Sequence, residues 1–278
     1  MKRKVANLAE CPVFIRLGIF VLILLLLWLP LAAPIYWLDR DPNQASILTI
    51  LLLYGEFILL VRFWVLQVHR QSHVFKHYGL ERTQRNASDI IQGLSISFFA
   101  ILSLFVLEGW LGWLTWQSSL FFLPHLVLEG LVVALGFGFA EELLFRGWLL
   151  DELQRDYRKS VALWTNSFLY ALLHFIKPLA AILSTWPQFP ALLLLGLTLV
   201  WAKRSRRNRL GLPIGLHAGL VWGYYIINVG QLVQYSGRVP DWVTGVDRNP
   251  LAGVMGLLFL SSIAVWMRRK SLAVNSRG

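Results

Sequence analysis

The chain has 278 residues, 56% of them hydrophobic and 15% charged, with 13 Trp and a mean hydropathy of +0.58. A soluble domain of this size does not carry so many long apolar runs, so the class is a polytopic membrane protein. A single Cys excludes an intramolecular disulfide and a Cys-based zinc knuckle, and the net charge of +11 must be explained by where the charges lie. Met1 to Arg16 is a short basic head with Lys2, Arg3 and Lys4. The apolar run from about Val13 to Leu31, ending at Pro30 and Pro34, is far too long for a signal-peptide core and reads as a retained span. The turn Asp39–Pro42, containing Arg40, leads to a second span, about Ile47 to Leu66. Gln67 to Asp89 is the longest polar stretch. A third span, Ile90 to Leu107, precedes a Trp-rich turn (Trp110, Trp113, Trp116) of the kind found at membrane interfaces. The fourth begins near Leu120 and finishes in Asp151 to Ser160. The fifth runs from Val161 to Phe175, followed by a loop containing Pro178, Pro187 and Pro190. The sixth, Ala191 to Trp201, is short for a span unless it begins within that loop. The basic run Lys203–Arg209, a seventh span (Leu210 to Val229), a polar loop (Gln231 to Asn249) and an eighth span (Leu251 to Met267) complete the chain.

The expected fold is therefore all-α, a polytopic transmembrane bundle of about eight helices forming one integral membrane domain, 1–278. Within it, 1–118 holds the first three spans, 119–230 the helices that carry chemistry, and 231–278 the outer loop, last span and basic tail. With the N-terminus in the cytoplasm, the cytoplasmic segments hold 19 Lys and Arg against four in the outer connections, Arg40, Lys177, Arg238 and Arg248. That bias is what the positive-inside rule requires, so both termini are expected in the cytoplasm. Orientation and anionic lipid account for the +11, and no nucleic acid partner is needed.

Three groups inside the fourth apolar run demand a reason. Glu141, Glu142 and Arg146 lie within GFGFAEELLFRGWLL (136–150), where each ionised group costs on the order of 3 kcal/mol to insert. Glu142 and Arg146 are four apart, acid before base, the favourable order for a helical ion pair. Glu141 lies about 100° around the helix and is left without that partner. Two intramembrane histidines stand out elsewhere: His174 in SFLYALLHF and His217 in PIGLHAGLVWGYY. At ~1.5 Å per residue, Glu141, His174 and His217 lie roughly 15, 20 and 10 Å from the cytoplasmic ends of their spans, so all three can meet in the cytoplasmic half. A glutamate beside imidazoles can activate a water, directly or with a metal held by the histidines, and imidazole N–H groups can donate to an oxyanion. No GxSxG-like serine and no usable thiol is present, which points to water-dependent hydrolysis.

The sequence Glu141-Glu142-Leu143-Leu144-Phe145-Arg146-Gly147 resembles the EExxxR motif of the CAAX-protease and bacteriocin-processing family, also called CPBP or Abi. Its members are polytopic intramembrane endopeptidases related to the type II CAAX prenyl endopeptidase. The FxxxH motif of that family corresponds to Tyr170-Ala171-Leu172-Leu173-His174, with Tyr in place of Phe. HxxxN or HxxxD corresponds to His217-Ala218-Gly219-Leu220-Val221. The resemblance covers about Gly136 to Tyr225. It implies that Glu141 activates the attacking water, His174 helps hold that water or a metal, His217 donates to the oxyanion, and Glu142 and Arg146 form the supporting pair. It is compatible both with a divalent metal such as zinc held by Glu141, His174 and His217 and with a metal-independent glutamate peptidase. The implied partners are a membrane-associated peptide or protein substrate and the lipid bilayer. Prenylated proteins, bacteriocin leaders and other membrane peptides all remain open as substrates, and oligomeric state is unspecified.

Val221 departs from the family, where an amide or carboxylate stands one turn after the histidine. Loss of one oxyanion donor typically costs ~10²–10³ in rate. Tyr170, on the stripe Asn166, Tyr170, His174, is a candidate replacement donor. The valine also keeps a catalytically weak or silent scaffold as a second reading, with a proton-coupled transporter built on the buried Glu and His groups as a third. Among other polar groups, His69, His73 and His77 at i, i+4, i+8 read as an interfacial basic helix rather than a metal site. His125 and Glu129 read as a local pair, and Glu56 and Glu108 have no evident partner. Gly136 and Gly138 are expected to permit close helix approach.

Overall fold

Inside a bilayer each backbone N–H and C=O must be satisfied within its own segment, which is why the apolar runs become helices. A computed structural model describes residues 7–39, 41–118 and 122–276. The basic head Lys2, Arg3, Lys4, together with Arg40, Arg277 and the expected fourth-span start at Leu120, lies outside the described residues. All eight expected apolar stretches are helical: α1 (Val13–Leu38), α2 (Pro42–Gln67), α3 (Gln84–Trp110), α4 (Leu123–Asp156), α5 (Lys159–Leu173), α7 (Phe189–Ser205), α8 (Gly211–Val229) and α9 (Val254–Asn275). The seven-residue α6 (Leu179–Thr185) and a 3₁₀ turn (Trp186–Gln188) extend the sixth apolar run backwards into the preceding loop. Among the described residues six stretches, α1 to α4, Leu179–Ser205 and α8, are long and apolar enough to cross a membrane, making this an integral multi-pass membrane protein.

Three expectations are corrected. Pro30 and Pro34 do not end the first helix, which continues to Leu38. A break there would strand more backbone groups away from water than two prolines do. His69, His73 and His77 do not form one helical stripe. α2 ends at Gln67, Arg70 takes a left-handed φ of 53°, and only Val74–His77 is helical again. The cause is tertiary: Glu152 takes the His69 Nε2 at 2.5 Å and Asp151 takes the His77 Nε2 at 3.1 Å. The Trp-rich turn contains a strand, β1 (Leu114–Trp116), paired antiparallel with β2 (Val233–Tyr235). The ribbon brings the Tyr235 hydroxyl 3.4 Å from Glu108 Oε2, giving that acid the partner the sequence did not show. Burial and the adjacent carboxylate push the Tyr235 hydroxyl up from its usual range, so it remains the donor.

The described contacts form two compact units, 1–77 with 151–158, and 78–150 with 159–278. In the first, α1 and α2 pair through Phe20, which meets the rings of Phe57 and Trp64 edge-on at 6.0 and 5.2 Å. Beside this contact lies a buried polar knot on Glu152. Arg16 Nε donates to it at 2.7 Å and Trp64 Nε1 at 2.9 Å, while Arg16 also reaches Asp156 at 2.8 Å.

The second unit is built around α8. Gly211, Gly215, Gly219 and Gly223 recur every fourth residue and so share one face. A Cβ at Gly215 would strike the backbone of Ile90 and Leu94, and one at Gly219 would strike Leu94 and Ser97. This small-residue seam lets α8 and α3 approach backbone to backbone. His217 lies two residues from Gly215, about 200° around the helix, and so points away from α3. α4 packs there, with Gly138 against Ile214 and Ala218. Gly138 thus behaves as expected, whereas Gly136 faces open space. α7 packs against α5 and α9, with Gly196 pressed on Ser167.

Candidate active site

The motif on α4 does not sit on regular α-helix. The α-helical ladder stops at Glu142, and Leu143–Leu149 is a π-helical stretch before the helix resumes at Leu150. Widening the turn loosens the carbonyls along it, and two side chains from other helices take them up. Asn166 Nδ2 donates to the Phe145 carbonyl at 2.7 Å, and Lys203 Nζ to the Arg146 carbonyl at 2.6 Å. Sequence reading treated Lys203 only as a topology-setting charge, and no local signal announced the π stretch. Such bulges recur at functional sites because they re-aim the side chains they carry.

Glu142 and Arg146 are fully buried and paired, with Arg146 Nη1 donating to Glu142 Oε1 at 3.0 Å. The same oxygen receives His217 Nδ1 at 2.9 Å. The guanidinium lies 4.2 Å from the centre of the Tyr170 ring, and Arg146 Nη2 reaches the Gly196 carbonyl at 3.4 Å. The pair foreseen from the spacing is therefore one edge of a larger clamp that also fixes His217 and Tyr170. Tyr170 stands between the two histidines, its ring 4.6 Å from that of His174 and 6.3 Å from that of His217.

His174 is not within its helix, contrary to the expected span. α5 ends at Leu173, and His174 folds back so that its Nδ1 meets the Tyr170 carbonyl at 2.7 Å. A carbonyl only accepts, so Nδ1 carries the proton and Nε2 presents a lone pair. His217 is held likewise, Nδ1 toward the Glu142 carboxylate. Both free Nε2 atoms converge on Glu141 Oε2, at 3.8 Å from His174 and 3.9 Å from His217. That oxygen is buried and has no hydrogen-bond partner among the described residues, although the Glu141 side chain is 19% exposed. The structure thus brings the side chains of Glu141, His174 and His217 together.

The three groups border a cavity of ≈ 330 Å³ whose walls are otherwise mainly apolar, including Phe137, Leu192, Leu195, Leu220 and Val221. Gln188 and Asn249, neither singled out by sequence reading, also line it. His125 and Glu129 form an exposed pair at 3.7 Å elsewhere on α4. Neither oxygen of Glu56 has a hydrogen-bond partner among the described residues.

The donor types at Glu141, His174 and His217 are those zinc accepts, and the outer nitrogen of each histidine is held as in a metal site. The spacing is not. Tetrahedral ligation at ~2.1 Å places ligand atoms about 3.4 Å apart, closer than the 3.8 and 3.9 Å found here. Among the described residues no group of three His, Cys, Asp or Glu is arranged to hold a metal ion.

Residues 123–223 match the family model described as Type II CAAX prenyl endopeptidase Rce1-like. No curated protein and no solved structure matches the chain. The matched span contains Glu141, Glu142, Arg146, His174 and His217, so this part of the chain is similar to the family that the motifs resemble.

Proposed function

We propose that the protein is an intramembrane endopeptidase of the glutamate type, hydrolysing a peptide bond of a membrane-associated peptide or protein. The observation that carries this reading is Oε2 of Glu141, buried, without a hydrogen-bond partner among the described residues, and facing two imidazole lone pairs whose tautomers are fixed from behind. A water there donates one hydrogen to Glu141 and the other to His174 Nε2, leaving its lone pair for a carbonyl carbon. As the C–O bond forms, Glu141 takes the water's proton. It then passes that proton to the amide nitrogen as the C–N bond breaks, giving a carboxylic acid and an amine. His217 sits where it can meet the developing oxyanion, donating from Nε2 when in its imidazolium form. Glu142 and Arg146 hold His217 and Tyr170 and take no proton in the cycle.

The test is cleavage of a panel of membrane-anchored peptides, prenylated and unprenylated, in reconstituted vesicles. Glu141→Gln and His174→Ala should each lose about 10²–10⁴-fold in rate, the usual contribution of a positioned base. A strong chelator should leave the wild-type rate unchanged. Equal turnover by all three proteins would reject the reading, and loss of activity with chelator would replace the glutamate mechanism by a metal-dependent one.

A further inference from the structure

Val221 lines the cavity with a side chain that donates nothing, and both histidines direct their fixed proton away from it. The Tyr170 ring lies against the Arg146 guanidinium, 4.2 Å from it. Apart from the Tyr170 hydroxyl, α4, α5 and α8 offer a carbonyl oxygen bound there no neutral donor. A donor can also be offered from another part of the same unit. We propose that Asn249, from the loop between β2 and α9, supplies it, its side-chain N–H donating to the carbonyl oxygen of the scissile bond. This rests on the endopeptidase reading above.

Three observations support the assignment. Asn249 lines the same cavity as Glu141, His174, His217 and Val221. Its Oδ1 is already used, accepting from the Leu251 N–H at 3.0 Å, so the NH₂ on the other side of the amide carbon is turned away from that turn. Its NH₂ has no hydrogen-bond partner among the described residues. The backbone around it is also pinned: Asn249 N–H donates to Val246 O at 3.1 Å, and the Ala252 N–H donates to Asn249 O at 2.8 Å. Gln188, the other amide on the wall, is held by no side-chain hydrogen bond among the described residues and would have to be ordered at each turnover.

The loop is shaped to present this residue. Asp247 and Arg248, immediately before it, both take left-handed backbone (φ 53° and 61°), a conformation that residues other than glycine adopt rarely. Gly245, at φ 128°, can take no side chain, because a Cβ there would strike the Asn249 carbonyl. Gly253 and Gly256 press on Gly245 and Pro250 in the same way. Strain of this kind persists only where the surroundings over-determine it, and it collects at functional sites. A loop that merely joined β2 to α9 would not require it.

The variant that separates donor from fold is Asn249→Ser. Serine keeps an acceptor for the Leu251 N–H, being about as good a capping residue as asparagine, but loses the NH₂. With a peptide of the panel cleaved by the wild type, in the same vesicles, Asn249→Ser should lower kcat by about 10²-fold while changing KM by less than about threefold. Adding Val221→Asn to that variant should restore at least about tenfold, because it returns an amide to the same cavity from α8. Wild-type kcat in Asn249→Ser, with Glu141→Gln inactive, would overturn the role of Asn249 and leave the endopeptidase reading standing. A loss confined to Tyr170→Phe would give the donor role to that hydroxyl and overturn the inference. Equal cleavage by wild type and Glu141→Gln would overturn the endopeptidase reading, and this inference with it.

Discussion

Adjacent glutamates carry opposite burdens in this protein. Glu142 is fully buried and spends one carboxylate oxygen on both Arg146 and His217, whereas Glu141 leaves its inner oxygen without a partner among the described residues. A carboxylate oxygen buried without a hydrogen-bond partner in the protein contributes little to holding the folded state together, and its desolvation opposes it. Glu141→Gln should therefore abolish turnover while leaving thermal stability in detergent within about 0.5 kcal/mol of wild type, or raising it. Arg146→Met should behave in the reverse order of severity. Removing one partner from a buried ion pair strands the other, which typically costs about 3–5 kcal/mol. Glu142→Gln keeps a hydrogen-bonding side chain of the same shape and should cost less than Arg146→Met. Matched destabilisation by the Glu141 and Arg146 variants in thermal unfolding would contradict this division. The division itself was legible from spacing, because only one of two adjacent acids can lie four residues before an arginine. The role of His217 in the clamp was not, since it needs a partner 75 residues away.

Helices, rather than single residues, determine how closely those side chains can meet. Hydrophobic run length was enough to locate all eight long helices, because a bilayer leaves the backbone no alternative. It could not reveal the π stretch at Leu143–Leu149, whose carbonyls depend on Asn166 and Lys203 from α5 and α7. It could have revealed the seam of Gly211, Gly215, Gly219 and Gly223, whose fourfold spacing is visible in the sequence, but Gly136 and Gly138 drew attention instead. The two sets make a clear comparison. A methyl group at Gly215 would have to move backbone of α3, so Gly215→Ala should destabilise by about 1–3 kcal/mol, the usual range for overpacking. It should also lower activity, because His217 rides on the same helix. Gly136→Ala enters open space and should stabilise by up to about 1 kcal/mol through helix propensity alone. Thermal unfolding of the two variants side by side checks this, and equal effects would show that the seam is not what fixes α8.

At the scale of the whole molecule, the first unit shows how far a local pattern can mislead. His69, His73 and His77 form a regular stripe only if the chain between them is helical, and it is not. Glu152 and Asp151, more than 70 positions later in sequence, take two of the three histidines. The knot on Glu152 is the buried polar centre of 1–77 with 151–158, and its chemistry predicts how that unit loses structure. Glu152 and Arg16 are both nearly inaccessible, so replacing either alone takes from the other its buried partner, leaving Arg16 only Asp156 or Glu152 only His69 and Trp64. Arg16→Met and Glu152→Leu should each destabilise the unit by about 3–5 kcal/mol. The double variant should recover much of that loss, because no charge of the pair is then stranded, although His69 and Trp64 would still lack their acceptor. Hydrogen exchange resolved by segment can read this directly. In each single variant, protection should fall across α1, α2 and residues 151–158 together, while α8 and α5 keep theirs, and in the double variant it should return. Strict additivity of the two losses would mean that Arg16 and Glu152 act independently, leaving the cohesion of this unit to the packing of Phe20 against Phe57 and Trp64.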